Sequence, residues 1–197
     1  MFARRSALSS SMPSASVHHA SLSASVVISE RHSISLLQVS AFAATTAETA
    51  VELSALLGLT NPDANHFSGG TDLCIRSIAP GVWQIQGEPS SVPHPDQLRK
   101  SLHGIATVVD LSHARTNLII SGPSAAQTLA KFCGLDLHSS KFKTGSSTQT
   151  RFGHIGMTIS RINDDPTFEI LVFRGYAQHV FESLVESAAE YGVRVIK

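Results

Sequence analysis

Cysteine is scarce in this sequence: Cys74 and Cys133 are the only two among 197 residues. Neither stands in a Cys-x-x-Cys pair, so a thiolate zinc site is not expected, and two isolated cysteines make no disulfide framework. That usage fits a reducing, cytoplasmic compartment. Charge is scarce too. Charged residues are 15% of the chain and the formal net charge is zero. Without a positive excess there is no electrostatic reason to bind nucleic acid or an anionic membrane, and neither is expected as a partner. No apolar run approaches the roughly 20 residues that cross a bilayer as a helix. No Gly-x-Gly-x-x-Gly follows a strand-like run, which removes the usual dinucleotide cradle. The ten histidines form no His-x-x-x-His or His-Glu-x-x-His pattern, so no helical metal site is expected. Acids are missing altogether from residues 1–29, which hold Arg4, Arg5 and many serines. The composition resembles an organellar transit segment without the apolar block of a secretory signal. The preferred reading is a flexible N-terminal arm that orders only on a partner.

What is present is enough to fold. Hydrophobic residues are 42% of the chain, and the length suits one ordinary domain or two small halves around a core. The low charged fraction also suits a surface partly covered by another chain. From Ser33 the pattern becomes regular. Ile34, Leu36, Leu37 and Val39 predict a strand. Thr45-x-x-Glu48 has the form of a capping box, and residues 47–57 then read as a helix stopped by Gly58. Asn61-Pro62-Asp63 and Ser68-Gly69-Gly70 are turn signals. Residues 73–78 and 82–86 predict two strands, 93–103 a helix with a proline-rich start, and 105–109 a strand.

The second half runs through the same order. Residues 117–121 predict a strand, with Ser121 as a cap and Pro123 opening a helix that runs to Cys133 and ends at Gly134. Cys133 falls on its apolar face as a small core residue. Strands follow at 155–160 and 168–173. A long helix over 176–191 places Ala177, Val180, Phe181, Leu184, Val185 and Ala188 on one face, with Glu182, Glu186 and Glu190 on another. Gly192 and a strand at 193–196 close the chain. Leu56-Leu57-Gly58-Leu59 and Phe132-Cys133-Gly134-Leu135 end the first helix of each half alike. Both halves, about 33–110 and 116–196 within a domain of 30–197, therefore read as βαββαβ. This is an α+β class of two ferredoxin-like units with antiparallel sheets.

An ordered set of motifs runs through the middle of the chain: Asp110-Leu111-Ser112-His113, Ser121-Gly122-Pro123-x-Ala125, Leu135-Asp136-Leu137-His138 and Gly153-His154-Ile155-Gly156. The similarity continues through Thr167 to Val172 into the last helix, with a weaker echo from Glu30-Arg31. In this order they resemble the gamma subunits of heterotetrameric sarcosine oxidases. These belong to the folate-binding, aminomethyltransferase-like family that includes the T-protein of glycine cleavage. The resemblance implies that family's folate-binding-domain fold. It also implies a place beside alpha, beta and delta subunits, with alpha as the direct contact. Such a complex demethylates sarcosine oxidatively to glycine, forming hydrogen peroxide and formaldehyde or methylene-tetrahydrofolate. FAD, FMN, NAD, tetrahydrofolate and zinc are implied on the other subunits, and none on this chain.

Several residues invite a chemical reading and receive a structural one. Asp110, Ser112 and His113 are acid, hydroxyl and imidazole within four residues. Neighbours on a strand end point in different directions, and such residues more often satisfy backbone groups than form a triad. Gly153-His154-Ile155-Gly156 has a Gly-x-x-Gly form, but only Arg151 is close and a strand follows. It reads as a glycine-kinked strand start, with His154 as a polar packing residue. Arg115, Arg161 and Arg174 stand at strand and helix ends, where arginines pair with carboxylates or carbonyls within a fold or across an interface. Catalytic, cofactor-binding and metal-ligating residues are accordingly expected to be absent, and the chain is expected to serve an oxidoreductase complex as a non-catalytic subunit. Two alternatives from other classes are a one-carbon transferase like the T-protein and a stand-alone folate-binding regulator. The chain is about half a T-protein long, and the folate-gripping acid and aromatic set has no match in it. Neither cysteine has the context of the regulators' motif.

Overall fold

The computed structural model describes residues 5–12, 16–18 (backbone) and 24–196. Two short strands come first, β1 (Ser16–His18) and β2 (Val26–Glu30). Next are β3 (Ser35–Ala41), α1 (Thr46–Leu57), β4 (Phe67–Gly69), β5 (Leu73–Ala79), β6 (Val82–Gly87), α2 (Pro95–Ser101) and β7 (Ala106–Asp110). The rest is β8 (Arg115–Ser121), α3 (Ala125–Ala130), β9 (Ser147–Phe152), β10 (Ile155–Asn163), β11 (Thr167–Phe173), α4 (Ala177–Ala188) and β12 (Val193–Ile196). The chain divides into two compact units: Ser33–His113, and the segments before and after it.

In the Ser33–His113 unit the sheet order is β4-β5-β6-β3-β7, every neighbour antiparallel. Leaving β4 aside, this is the strand order that βαββαβ connectivity produces when each helix crosses back over one face. Alternation in β3 and β6 turns Leu37, Val39, Trp83 and Ile85 to that face, against Leu53 and Leu57 of α1 and Leu98 of α2. Two local expectations change. Thr45 does not cap α1 with its side chain. Its hydroxyl donates instead to the Ile105 carbonyl at 2.6 Å and to Phe42 O at 3.1 Å, because a tertiary carbonyl is within reach. Ser68 and Gly69, expected as a turn, lie in β4 and pair with Ile75 and Cys74.

The other unit carries a sheet in the order β1-β12-β2-β8-β11-β10-β9. Its core is built from Leu118, Ile120, Ile159, Phe168, Ile170 and Val172 of the sheet against Leu129 of α3 and Val180, Phe181, Leu184 and Ala188 of α4. The predicted face of α4 is the buried one, with Ser187 buried beside it, and Glu182, Glu186 and Glu190 are exposed. Helix α3 is shorter than expected and starts after Ser124 rather than Ser121. Ser121 belongs to β8, and Cys133 follows the helix as a buried residue.

Residues 26–29, expected to belong to the arm of residues 1–29, are ordered instead. Residues 26–30 form β2, inserted between β12 and β8 and parallel to β12, which makes one parallel pair in an otherwise antiparallel sheet. Val26, Ile28, Leu8 and Met12 are buried in this unit's core. The alternating apolar side chains of Val26 and Ile28 offset the ordering entropy once two strands flank them. Arg4 and His19 lie outside the described residues.

Candidate functional site

Each residue that the sequence singles out has a definite place. At the end of β7 the Asp110 carboxylate accepts from the Ser112 amide at 2.9 Å, and the Ser112 hydroxyl accepts from the Leu36 amide at 2.9 Å. Burial raises the Asp110 pKa, but hydrogen bonds from Ser112 and the charges of His113 and Arg99 outweigh it and leave the carboxyl below its usual range. Asp110 and Ser112 thus fasten the end of β7 to β3.

Gly153 and His154 form the two-residue turn of the β9–β10 hairpin, where Phe152 pairs with Ile155. The Gly153 amide donates to the Phe132 carbonyl at 2.8 Å, and Phe132 stacks on Phe152 with centroids 4.4 Å apart. His154 is exposed rather than packed, because a hairpin tip has nothing above it. The histidines whose side chains are described are all exposed. Among the described residues no group of three or more His, Cys, Asp or Glu comes together to hold a metal.

The arginines divide into two kinds. Arg161 is 4% exposed and wrapped in carbonyls: Nε donates to Asn163 O at 3.2 Å and a terminal nitrogen to Phe142 O at 3.1 Å. With Phe168, Leu137, His138 and Asp164 it lines an open cleft of about 460 Å³. Arg115 stacks on Phe173, its guanidinium carbon 3.5 Å from the ring centroid. Burial lowers its pKa. Arg174 donates to the Arg5 carbonyl.

A buried polar group that sequence reasoning missed lies on the sheet face opposite α3 and α4. Glu169 of β11 is 2% exposed. Its Oε1 accepts from Asn117 Nδ2 at 2.6 Å and lies 3.4 Å from Arg31. Ser160 of β10 is in register with Glu169 and donates to Ser147 of β9 at 2.8 Å. Period-two alternation puts Asn117, Glu169 and Ser160 on one face, which is the signal that could have found them. The arrangement pairs a buried carboxylate with a side-chain amide and an arginine.

The profile of the family described as GCVT N-terminal domain matches residues 72–196. A curated relative, sarcosine oxidase subunit gamma of Corynebacterium sp. (strain U-96), is 30% identical over 84 residues. That stretch covers 43% of this chain and 40% of the relative. A solved structure of heterotetrameric sarcosine oxidase from Corynebacterium sp. U-96, in complex with pyrrole 2-carboxylate, holds a chain with the same fold. Its TM-score is 0.81 at 24% identity, over 95% of this chain and 96% of that one. Aminomethyltransferase T of the glycine cleavage system from Bartonella henselae gives a TM-score of 0.64 at 18% identity. There the match covers 88% of this chain but 48% of the other. No helix among the described residues is long and apolar enough to cross a membrane.

Proposed function

The chain belongs to the GCVT N-terminal domain family, and on that premise we propose that it is the structural, non-catalytic gamma-type subunit of a heterotetrameric sarcosine oxidase. The observation that carries the reading is coverage. The fold matches a chain of that oxidase nearly end to end, at 95% and 96%, whereas it spans only 48% of the aminomethyltransferase. The complex would demethylate sarcosine to glycine, with peroxide and formaldehyde or methylene-tetrahydrofolate as further products. Its FAD, FMN, NAD and zinc would reside on alpha, beta and delta chains, and alpha would be the direct contact.

Tetrahydrofolate does not fit this chain's own buried acid. Glu169 is 2% exposed and already engaged by Asn117 and Arg31, so it has no free face for a pterin. The family's fold keeps a second reading open, a one-carbon protein that binds folate by itself. Co-expression of the candidate alpha, beta and delta chains with and without this one separates the two. Omission should reduce assembly, flavin retention and sarcosine-dependent peroxide formation together. Full assembly without it, or tight tetrahydrofolate binding to the purified chain by calorimetry, would favour the second reading.

A further inference from the structure

We propose that the surface built from Arg115, Phe173 and Tyr176, with Arg174 and Arg5 at its margin, docks an acidic segment of a partner protein. This rests on the reading that the chain works inside a larger assembly. Phe173 ends β11 and Arg115 begins β8, and the two are partners across the sheet. Tyr176 follows in the 3-10 turn Arg174–Tyr176. Phe173 and Tyr176 remain 48% and 53% exposed, among the largest apolar side chains left in water. Arg115 lies flat on the Phe173 ring, so its planar fork is already oriented and little side-chain freedom is left to lose on binding. Its Nε is shielded from water and has no hydrogen-bond partner.

The charge around this surface is uncompensated. Arg31 pairs with Glu169, Arg99 with Asp96, and Arg161 with three carbonyls. Among the described residues no carboxylate pairs with Arg5, Arg115 or Arg174. A partly desolvated guanidinium with free donors beside two exposed rings is the composition of an interface hot spot, and its complement is a carboxylate flanked by apolar side chains. A zero net charge favours a protein over a nucleic acid as the partner of these three arginines.

The test uses the full chain co-expressed with the alpha, beta and delta candidates. A photo-crosslinking phenylalanine at position 176 is expected to capture a partner peptide that contains Asp or Glu. Arg115→Glu should weaken association roughly thirty-fold, and Tyr176→Ser, an exposed change that spares the fold, should weaken it in the same direction. Lys100→Glu on α2 should leave it unchanged. If the unsubstituted chain enters no complex, the functional reading fails and takes this inference with it. If it assembles but both substituted chains assemble equally well, or the crosslink joins nucleic acid or a second copy, this inference alone is overturned.

Discussion

Gly122→Ala is the most discriminating perturbation of the fold, because it bears on β2, a segment the sequence misplaces. Gly122 has φ +107, and a Cβ there would lie 2.4 Å from the carbonyl oxygen of Ser25, the residue before β2. To reach an ordinary contact of roughly 3.5 Å, Ser25 must retreat by about an ångström. It is not free to do so. The Ser25 carbonyl accepts from the Ser124 amide, and the Ser25 and Val26 amides donate to Gly192 O at 3.0 and 3.1 Å. The backbone conformation costs an alanine about 1–3 kcal/mol, and loosening two of these hydrogen bonds adds about 0.5–1.5 kcal/mol each. The expected loss is therefore about 2–6 kcal/mol. Gly145→Ala in the same unit is the control. Its φ is +88 but no atom lies within 4 Å of the added Cβ, so only the conformational cost of about 1–3 kcal/mol applies. Urea denaturation followed by circular dichroism compares the two. Fluorescence of the single Trp83 reports the Ser33–His113 unit in the same samples. Equal destabilisation by the two substitutions would refute the argument that β2 is locked by close approach of backbone at Gly122.

Two further outcomes test the assignments of side chains. Leu184→Asp should abolish folding, since Leu184 is fully buried in the α4 core and an unpaired carboxylate has no partner there. Glu186→Gln on the exposed face should change stability by less than about 0.5 kcal/mol, and equal effects in thermal melts would mean that the face of α4 is wrongly assigned. The Asp110 carboxyl titrates below its usual value in the folded chain. Its stabilising contribution is therefore present above the unfolded pKa of roughly 3.9 and is lost as pH falls through the lower folded value. Stability curves of the unsubstituted chain and Asp110→Asn should differ at neutral pH and converge in acid. A constant offset down to the lowest pH would contradict this.

Local patterns in the sequence determined the α+β class, the βαββαβ order and the buried face of α4, because each is encoded by neighbours three, four or two residues apart. The order of motifs from Asp110 to Gly156 determined the family for a different reason: residues such as Gly122 and Ser112 meet geometric demands that few residue types satisfy. Tertiary structure alone decided the rest. Strand β2 pairs with β8 and β12, both far from it in sequence, so its composition read as an arm. Strand β9 is an edge of Ser, Thr and Gln, too polar to register as apolar alternation. Thr45 has the sequence of a cap, yet its hydroxyl goes to a carbonyl 60 residues away. Glu169 meets Asn117 and Arg31 across 52 and 138 residues, and Arg115 reaches Phe173 only through strand register. Such pairs depend on which strands become neighbours, and that is settled by the burial of whole faces rather than by any local stretch.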